Sequence, residues 1–271
     1  MAPDATPNPG WFFKRVEAAK NRVLLVDYDG TLAPFHANRL RATPYPKVPE
    51  FLRCIMSSCG TRLIIISGRA AHEVPALLGL YPRPEIWGTY GIEKLHADGR
   101  YEEVHVSHKA LLVLAQAQAQ LESEGFGEQI DVKLAAVALH WRGLPAREVL
   151  NMRTKAYQIL EPLAVQPDLV LGEFEEGLEI RLSSANKGDA VRNLLSKLDP
   201  GVPVAYLGND ATGEDAFRVL NGRGLTVLVG PKPRLTVAQI WLKPPHELLR
   251  FLTNWIHACR GTGYTRVAAP L

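Results

Sequence analysis

The stretch "LLVDYDGTLAPF", residues 24–35, ends an apolar run in two aspartates, Asp27 and Asp29, followed at once by Gly30 and Thr31. Like charges held in one site repel and raise each other's pKa. A phosphoryl-transfer site would make such a pair useful. One carboxylate can attack phosphorus and carry the group as an aspartyl phosphate. The second, one pleat further and facing the same side, can protonate the leaving oxygen and then activate water. Gly30 permits a tight chain reversal, and the Thr31 hydroxyl can fix it. Taken alone, D-x-D-G-T also fits a solvated strand end with an Asx turn.

Three further segments carry matching chemistry. Ser67 opens "SGRAAHEV" after the run "RLIII", where its hydroxyl can donate to a phosphate oxygen. Lys187, in "SANKGDA", stands where a helix begins. Its ammonium can neutralise a phosphate and a negative nucleophile, and a helix amino end also favours an anion. "YLGNDATGEDAF", 206–217, is rich in oxygen donors. Mg²⁺ takes hard oxygen ligands and keeps several waters, so it can bridge Asp27 to a phosphate and offset the repulsion of the aspartates. Each segment also has a plainer reading: a turn, a surface lysine, a helix N-cap cluster.

The elements that must position these residues are four β-branched runs, "RVLLVD" (22–27), "TRLIIIS" (61–67), "PVAYLG" (203–208) and "LTVLVG" (225–230). They read as buried parallel strands. Helical stretches at 48–59, 187–198 and 214–221 fall between them, with Pro49 near the start of the first. Strands alternating with helices predict an α/β open sheet, whose ligands sit at the carboxyl ends of the strands. Asp27, Ser67 and the segment 208–210 all fall at such ends.

The middle of the chain differs. Helices are expected at 108–125 and 146–164, a strand at 132–143, and a hairpin over 168–182 turning near Glu175 to Gly177. This pattern predicts an α+β insert. The expected division is a core of residues 1–105 and 181–271 with the insert at 106–180. A short loose lead before a helix from Trp11, and a loose tail "GTGYTRVAAPL", complete the reading.

Composition narrows the class. The 271 residues are 46% hydrophobic and 22% charged, with a net charge of +3. That is an ordinary soluble composition, and scattered Lys and Arg make no nucleic-acid patch. No stretch approaches the ~20 apolar residues of a membrane helix, and the start lacks the apolar region of a signal peptide. The three cysteines follow no zinc or redox spacing and read as reduced structural thiols of a cytoplasmic protein.

In this order, each at a strand end, the four segments resemble the motifs of the haloacid dehalogenase superfamily. The resemblance implies a Rossmann-like core with an inserted α+β cap domain. It assigns Asp27 as nucleophile, Asp29 as acid/base, and Ser67 and Lys187 as further catalytic residues. It places Mg²⁺ on Asp27, Asp29, Asn209 and Asp210. Over residues 20–260 the chain further resembles the trehalose-6-phosphate phosphatases, through "ISGR" (66–69), "GTYGIE" (88–93), "VALHWR" (137–142), "GLEIRL" (177–182) and "NKGDA" (186–190). That resemblance implies substrate contacts from Gly68, Arg69, Tyr90, Glu93, His140, Arg142, Glu179, Arg181 and Asn186. It also implies a monomer acting on a small sugar phosphate, with no nucleic-acid or membrane partner.

The chain departs from that family at three places. Its metal motif reads G-N-D-A-T-G-E-D where the family has G-D-D-x-T-D-E-D, so Asn209 and Gly213 each replace an acid. Tyr90 stands where the family often has histidine, and Leu182 where it has proline. The leading expectation is a Mg²⁺-dependent phosphatase releasing trehalose from trehalose 6-phosphate. The alternatives are a capped phosphatase for another sugar phosphate, and a degenerate sugar-phosphate-binding protein.

Overall fold

Strand β1 (Arg22–Val26) is buried on both faces, which is why it reads as an unbroken apolar run rather than an alternating one. Leu24 and Val26 face one hydrophobic cluster, and Val23 and Leu25 the other. In the computed structural model, residues 9–36, 38–174 and 177–261 are described. The expected lead, tail and hairpin turn fall largely outside these residues.

Among them, eight strands form one sheet in the order β12-β11-β10-β1-β2-β3-β4-β5. Besides β1 these are β2 (Thr61–Ile66), β3 (Glu85–Gly88), β4 (Glu93–Leu95), β5 (Tyr101–Glu103), β10 (Val204–Gly208), β11 (Leu225–Val229) and β12 (Ile240–Leu242). Strands β12 to β3 run parallel, and β4 and β5 return antiparallel at one edge. Helices α1 (Gly10–Ala18), α2 (Val48–Ser58) and α8 (His246–Arg260) cover one face through Phe12, Leu52, Ile55 and Trp255. Helices α6 (Lys187–Leu195) and α7 (Ala211–Leu220) cover the other through Val191, Leu194, Phe217 and Leu220. A short helix α3 (Val74–Leu78) follows β2.

A second, antiparallel sheet has the order β6-β7-β9-β8, built from β6 (Ile130–Lys133), β7 (Ala136–His140), β8 (Leu169–Phe174) and β9 (Gly177–Leu182). Helices α4 (His108–Ser123) and α5 (Ala146–Leu163) pack on its apolar face against Val137, Leu139, Leu178 and Ile180. Strand β9 continues through Leu182, so Arg181 and Leu182 belong to this smaller sheet.

Two local expectations are corrected. The stretch expected as one strand over 132–143 is two, because the chain reverses at Leu134 and Ala135 and pairs Lys133 with Ala136. A turn without Gly, Pro, Asn or Asp carries none of the usual signals. Asp29 does not continue the pleat of β1. It sits in a turn closed by the N–H groups of Leu32 and Ala33 on the Tyr28 carbonyl. The Thr31 hydroxyl, expected to fix that turn, is buried with no partner among the described residues.

Trp255 is fully buried, contacts the rings of Phe12 and Phe251, and donates its Nε1–H to Thr61 Oγ1 at 3.0 Å. Trp255→Ala removes this anchor between α8 and the sheet. It should lower unfolding stability by about 3–5 kcal/mol, read from a denaturant midpoint.

Candidate active site

The residue after β1 is Asp27, 3% exposed, with its own N–H donating to the Leu207 carbonyl of the adjacent β10. Its Oδ1 accepts the Tyr28 N–H at 2.7 Å, and its Oδ2 accepts from Lys187 Nζ at 2.6 Å. Burial pushes Asp27 up to about 7, with Lys187 opposing the shift. Lys187 is delivered by the start of α6, where Asn186 Oδ1 caps the N–H groups of Gly188 and Asp189. Burial alone would discharge the ammonium. The carboxylates of Asp210 and Asp27 outweigh it and hold the Lys187 pKa above its ordinary value.

Asp210 is the N-cap of α7 and accepts from Thr212 Oγ1, the Gly213 N–H and, at 3.4 Å, Lys187 Nζ. Burial would raise its pKa, but Lys187 and these hydrogen bonds hold it below the ordinary value. Asp29 has a separate cation: Arg69 Nε and Nη2 grip its two oxygens, each at 2.7 Å. Each of the close aspartates thus has its own protein cation, Lys187 for Asp27 and Arg69 for Asp29. Gly30, with φ +72°, keeps this loop close to Asn209, since a Cβ there would fall 2.0 Å from Asn209 Nδ2.

Asp27, Asp29, Lys187 and Asp210 line a cavity of about 490 Å³ between the two sheets. That is the size range of small-molecule sites. From the core side, Gly68, Arg69 and Tyr90 also line it. From the smaller sheet come Asp131, Lys133, His140 and Glu179, with Arg142 just beyond β7. The register explains the convergence: Ala138 lies between Asp131 and Glu179, and Ala136 between Lys133 and Arg181. Small alanines leave room for long charged neighbours on the face turned from α4 and α5. Lys133 Nζ donates to Glu179 Oε1 at 2.7 Å and lies 5.7 Å from the Tyr90 ring centre. His140 Nε2 stands 3.8 Å from Asp131 Oδ2 and edge-on to Phe174.

Arg39 and Arg142 also join cap-side and core-side walls. Arg39 pairs with Glu73 at 2.7 Å and with Asp131 at 2.5 Å. Arg142 donates to the His36 carbonyl and stacks 4.7 Å over the Phe35 ring.

Five expected site residues do not line the cavity. Ser67 is fully buried and accepts the Arg69 N–H on its Oγ at 3.1 Å. Glu93, in β4, accepts hydrogen bonds from Thr89 Oγ1, the Ala71 N–H and Tyr101 OH. Those bonds hold Thr89 and Tyr90, both at positive φ, in their left-handed turn. Arg181 donates to the Leu182 and Ala185 carbonyls and packs over Tyr90. Asn186 is spent on the α6 cap and on Asp215. Asn209 is gripped through its backbone carbonyl by Arg234, while its Oδ1 is buried without a partner among the described residues. Among the described residues no three His, Cys, Asp or Glu side chains are grouped to hold an ion; Arg69 pairs with Asp29, and Lys187 with Asp27 and Asp210.

Sequence reasoning missed Arg39, Asp131 and Lys133. The signal for the last two was present: charges at alternate positions of an apolar strand share one face. Arg39 lies in a loop and gave none.

A parallel sheet with an aspartate after its central strand, overlaid by an inserted α+β cap, defines the fold of the haloacid dehalogenase class. The C-terminal domain of Candida albicans trehalose-6-phosphate phosphatase superposes with a TM-score of 0.77 at 21% identity, covering 96% of this chain and 99% of that one. A profile described as trehalose-phosphatase matches residues 25–236, and the chain belongs to that family of phosphoric monoester hydrolases. A probable trehalose-phosphate phosphatase of rice is 30% identical over 91% of this chain and 73% of its own length. Trehalose-6-phosphate phosphatase of Escherichia coli is 26% identical over 84% of this chain and 80% of its own. Among the described residues, no helix is long and apolar enough to cross a membrane.

Arg69 sets the place of Asp29 by a two-point grip that lysine cannot reproduce. If Asp29 takes the expected acid/base role, Arg69→Lys should keep the fold and lower turnover of a small aryl phosphate by about 10²-fold, the usual effect of a misplaced reacting group. Steady-state kinetics beside a circular dichroism spectrum check this.

Proposed function

We propose that this chain is a Mg²⁺-dependent phosphatase that hydrolyses trehalose 6-phosphate, with residues 106–180 acting as its specificity cap. The observation that carries the reading is the Asp27–Lys187 pair, at the floor of a cavity whose roof is lined by Asp131, Lys133, His140 and Glu179. The floor is suited to a phosphate and the roof to sugar hydroxyls.

Asp27 attacks phosphorus, the bond to the sugar oxygen breaks, and the phosphoryl group rests on Asp27. Lys187 balances the negative charge gathered there. Asp29 gives the leaving oxygen its proton and later takes one from water, which hydrolyses the acyl phosphate and restores Asp27. Arg69 must release one Asp29 oxygen before that oxygen can carry a proton. The cap excludes bulk water while these groups are aligned.

A divalent ion fits this site in donor type. Asp27 offers a carboxylate oxygen, and Asn209 Oδ1 is a buried acceptor with no partner. When bound, Mg²⁺ supplies charge that orients and polarises the phosphoryl group. The donor set carries less negative charge than an aspartate at position 209 would give.

Phosphate release from a panel of sugar phosphates with Mg²⁺ tests the reading directly. Trehalose 6-phosphate should be the preferred substrate, and Asp27→Asn should abolish its turnover. Preference for another sugar phosphate would leave the phosphatase and overturn the substrate. Binding without turnover of any member would make the chain a sugar-phosphate-binding protein.

Roof and floor can be separated. Glu179→Ala should lower kcat/KM on trehalose 6-phosphate while sparing a small aryl phosphate, which does not reach the cap. Equal loss on both substrates would place Glu179 in the scaffold through Lys133.

The metal reading gives a signed outcome. Asn209→Asp adds a charged oxygen and should lower the Mg²⁺ concentration needed for half-maximal activity, with tighter Mg²⁺ binding by calorimetry. No shift, or weaker binding, would remove Asn209 from the ligand set.

A further inference from the structure

The connection from β11 to β12, residues 230–239, is irregular, and Leu235 and Val237 within it are exposed. Hydrogen bonds rather than apolar burial hold it, and Arg234 and Glu214 stand at their centre. The Arg234 guanidinium donates from Nε and Nη2 to the Asn209 carbonyl at 3.1 and 3.0 Å, and from Nη2 to the Asp210 carbonyl at 3.0 Å. Its Nη1 pairs with Glu214 Oε1 at 2.5 Å. Glu214, 8% exposed in the first turn of α7, also accepts from Thr236 Oγ1 at 2.7 Å and from the Val237 N–H at 3.0 Å.

The segment that Arg234 grips joins β10 to α7 and carries Asn209 and Asp210. From another side the Asn209 side chain abuts the Gly30 loop, where a Cβ would fall 2.0 Å from its Nδ2. The backbone is thus clamped and the side chain confined. Its Oδ1 is a buried acceptor with no partner among the described residues. A charged ligand attracts a cation over a wide range of approach, whereas a neutral amide oxygen acts by its dipole and must already point the right way. Position 209 holds the neutral group in this chain, so its contribution depends on what fixes it. Supporting groups of this kind orient a ligand and tune metal affinity without touching the ion. Arg234 lies outside the cavity lining, and Glu214 supplies the counter-charge that keeps its guanidinium from opposing a cation nearby.

We propose that Arg234, neutralised by Glu214, is a positioning residue that fixes the Asn209 side-chain oxygen for the divalent ion. The inference rests on the proposed assignment of Asn209 to Mg²⁺. It extends that assignment to a connection more than twenty residues further along the chain, outside the G-N-D-A-T-G-E-D segment.

Mg²⁺ alone is titrated into the full chain by calorimetry, beside the Mg²⁺ dependence of aryl phosphate turnover. In Arg234→Lys a single ammonium cannot hold two carbonyls and Glu214 in one fixed fork. The Mg²⁺ dissociation constant should rise about tenfold, the low end for loss of a supporting group, and the Mg²⁺ needed for half-maximal activity should rise with it. Asn209→Ala separates positioning from scaffolding. In that background Arg234→Lys should change Mg²⁺ binding by less than about twofold, because the oxygen it positions is gone. A loss that persists in full there, or unchanged Mg²⁺ binding in folded Arg234→Lys, would overturn the proposal while leaving Asn209 a ligand. Wild-type Mg²⁺ binding in Asn209→Ala alone would instead overturn the ligand assignment, and the clamp's role with it. If Arg234→Lys does not fold, Glu214→Gln decides. It keeps an acceptor oxygen but removes the counter-charge, and should weaken Mg²⁺ binding by about threefold or more; no change would overturn the proposal.

Discussion

The ion pair between Lys187 and Asp27 is the contact on which the rest of the molecule is organised. Its partners are 160 residues apart in sequence and 1% and 4% exposed at their side chains. Taking two charges out of water is expensive, and their attraction compensates only if the geometry is held. Removing one partner of such a pair typically costs about 3–5 kcal/mol, because it strands the other charge. Strand β1, the Asn186-capped start of α6 and the Asp210-capped start of α7 meet to hold it. Burial that would neutralise Asp27 is the same burial that gives a phosphate here a strong field. The core is thus built to keep a costly arrangement intact.

The second sheet answers a different constraint. Its outer face buries leucines and isoleucines beneath α4 and α5, as any amphipathic sheet must. Its inner face carries Asp131, Lys133, Glu179 and Arg181 around two alanines, and those charges satisfy one another in a network. Such a surface gives directional partners to hydroxyl groups without holding a large net charge. Tyr90 completes it from below, its ring lying under both Lys133 and Arg181. Where the core handles charge, this face handles shape and hydrogen bonding.

Much of this was legible from residue order alone, for physical reasons. Strands buried on both faces must be continuously apolar, so 22–26, 61–66, 204–208 and 225–229 announced themselves. Chemistry in an open parallel sheet collects at the carboxyl ends, which drew Asp27, Asp29 and Asp210 together before any coordinates. The short strands β3, β4, β5 and β12 did not stand out, because three or four residues carry too little periodicity. The Leu134–Ala135 reversal hid inside an apolar run and merged two strands, which also masked the face shared by Asp131 and Lys133. The protein partners of Glu93 and Arg181 were not legible, because a polar group in an apolar strand reads the same whether it meets a ligand or a backbone. The Arg69 grip on Asp29 could not be foreseen, since it depends on a loop geometry that local sequence does not encode.

Arg39 is the one cation shared between Glu73 below and Asp131 above, and all three side chains keep some contact with solvent. Were the cap to lift, Arg39 could stay with only one of those acids, while Asp131 would keep Lys133 at 3.6 Å. Ions in the medium would soften that loss only in part, because partly buried pairs are screened less than exposed ones. The resting position of the cap is therefore a function of the solution as well as of the chain. On the proposed function, a dianionic substrate reaching a cavity that Arg39 itself helps to line would compete with both acids for the same guanidinium. The substrate's own charge would then help unfasten the lid it must pass.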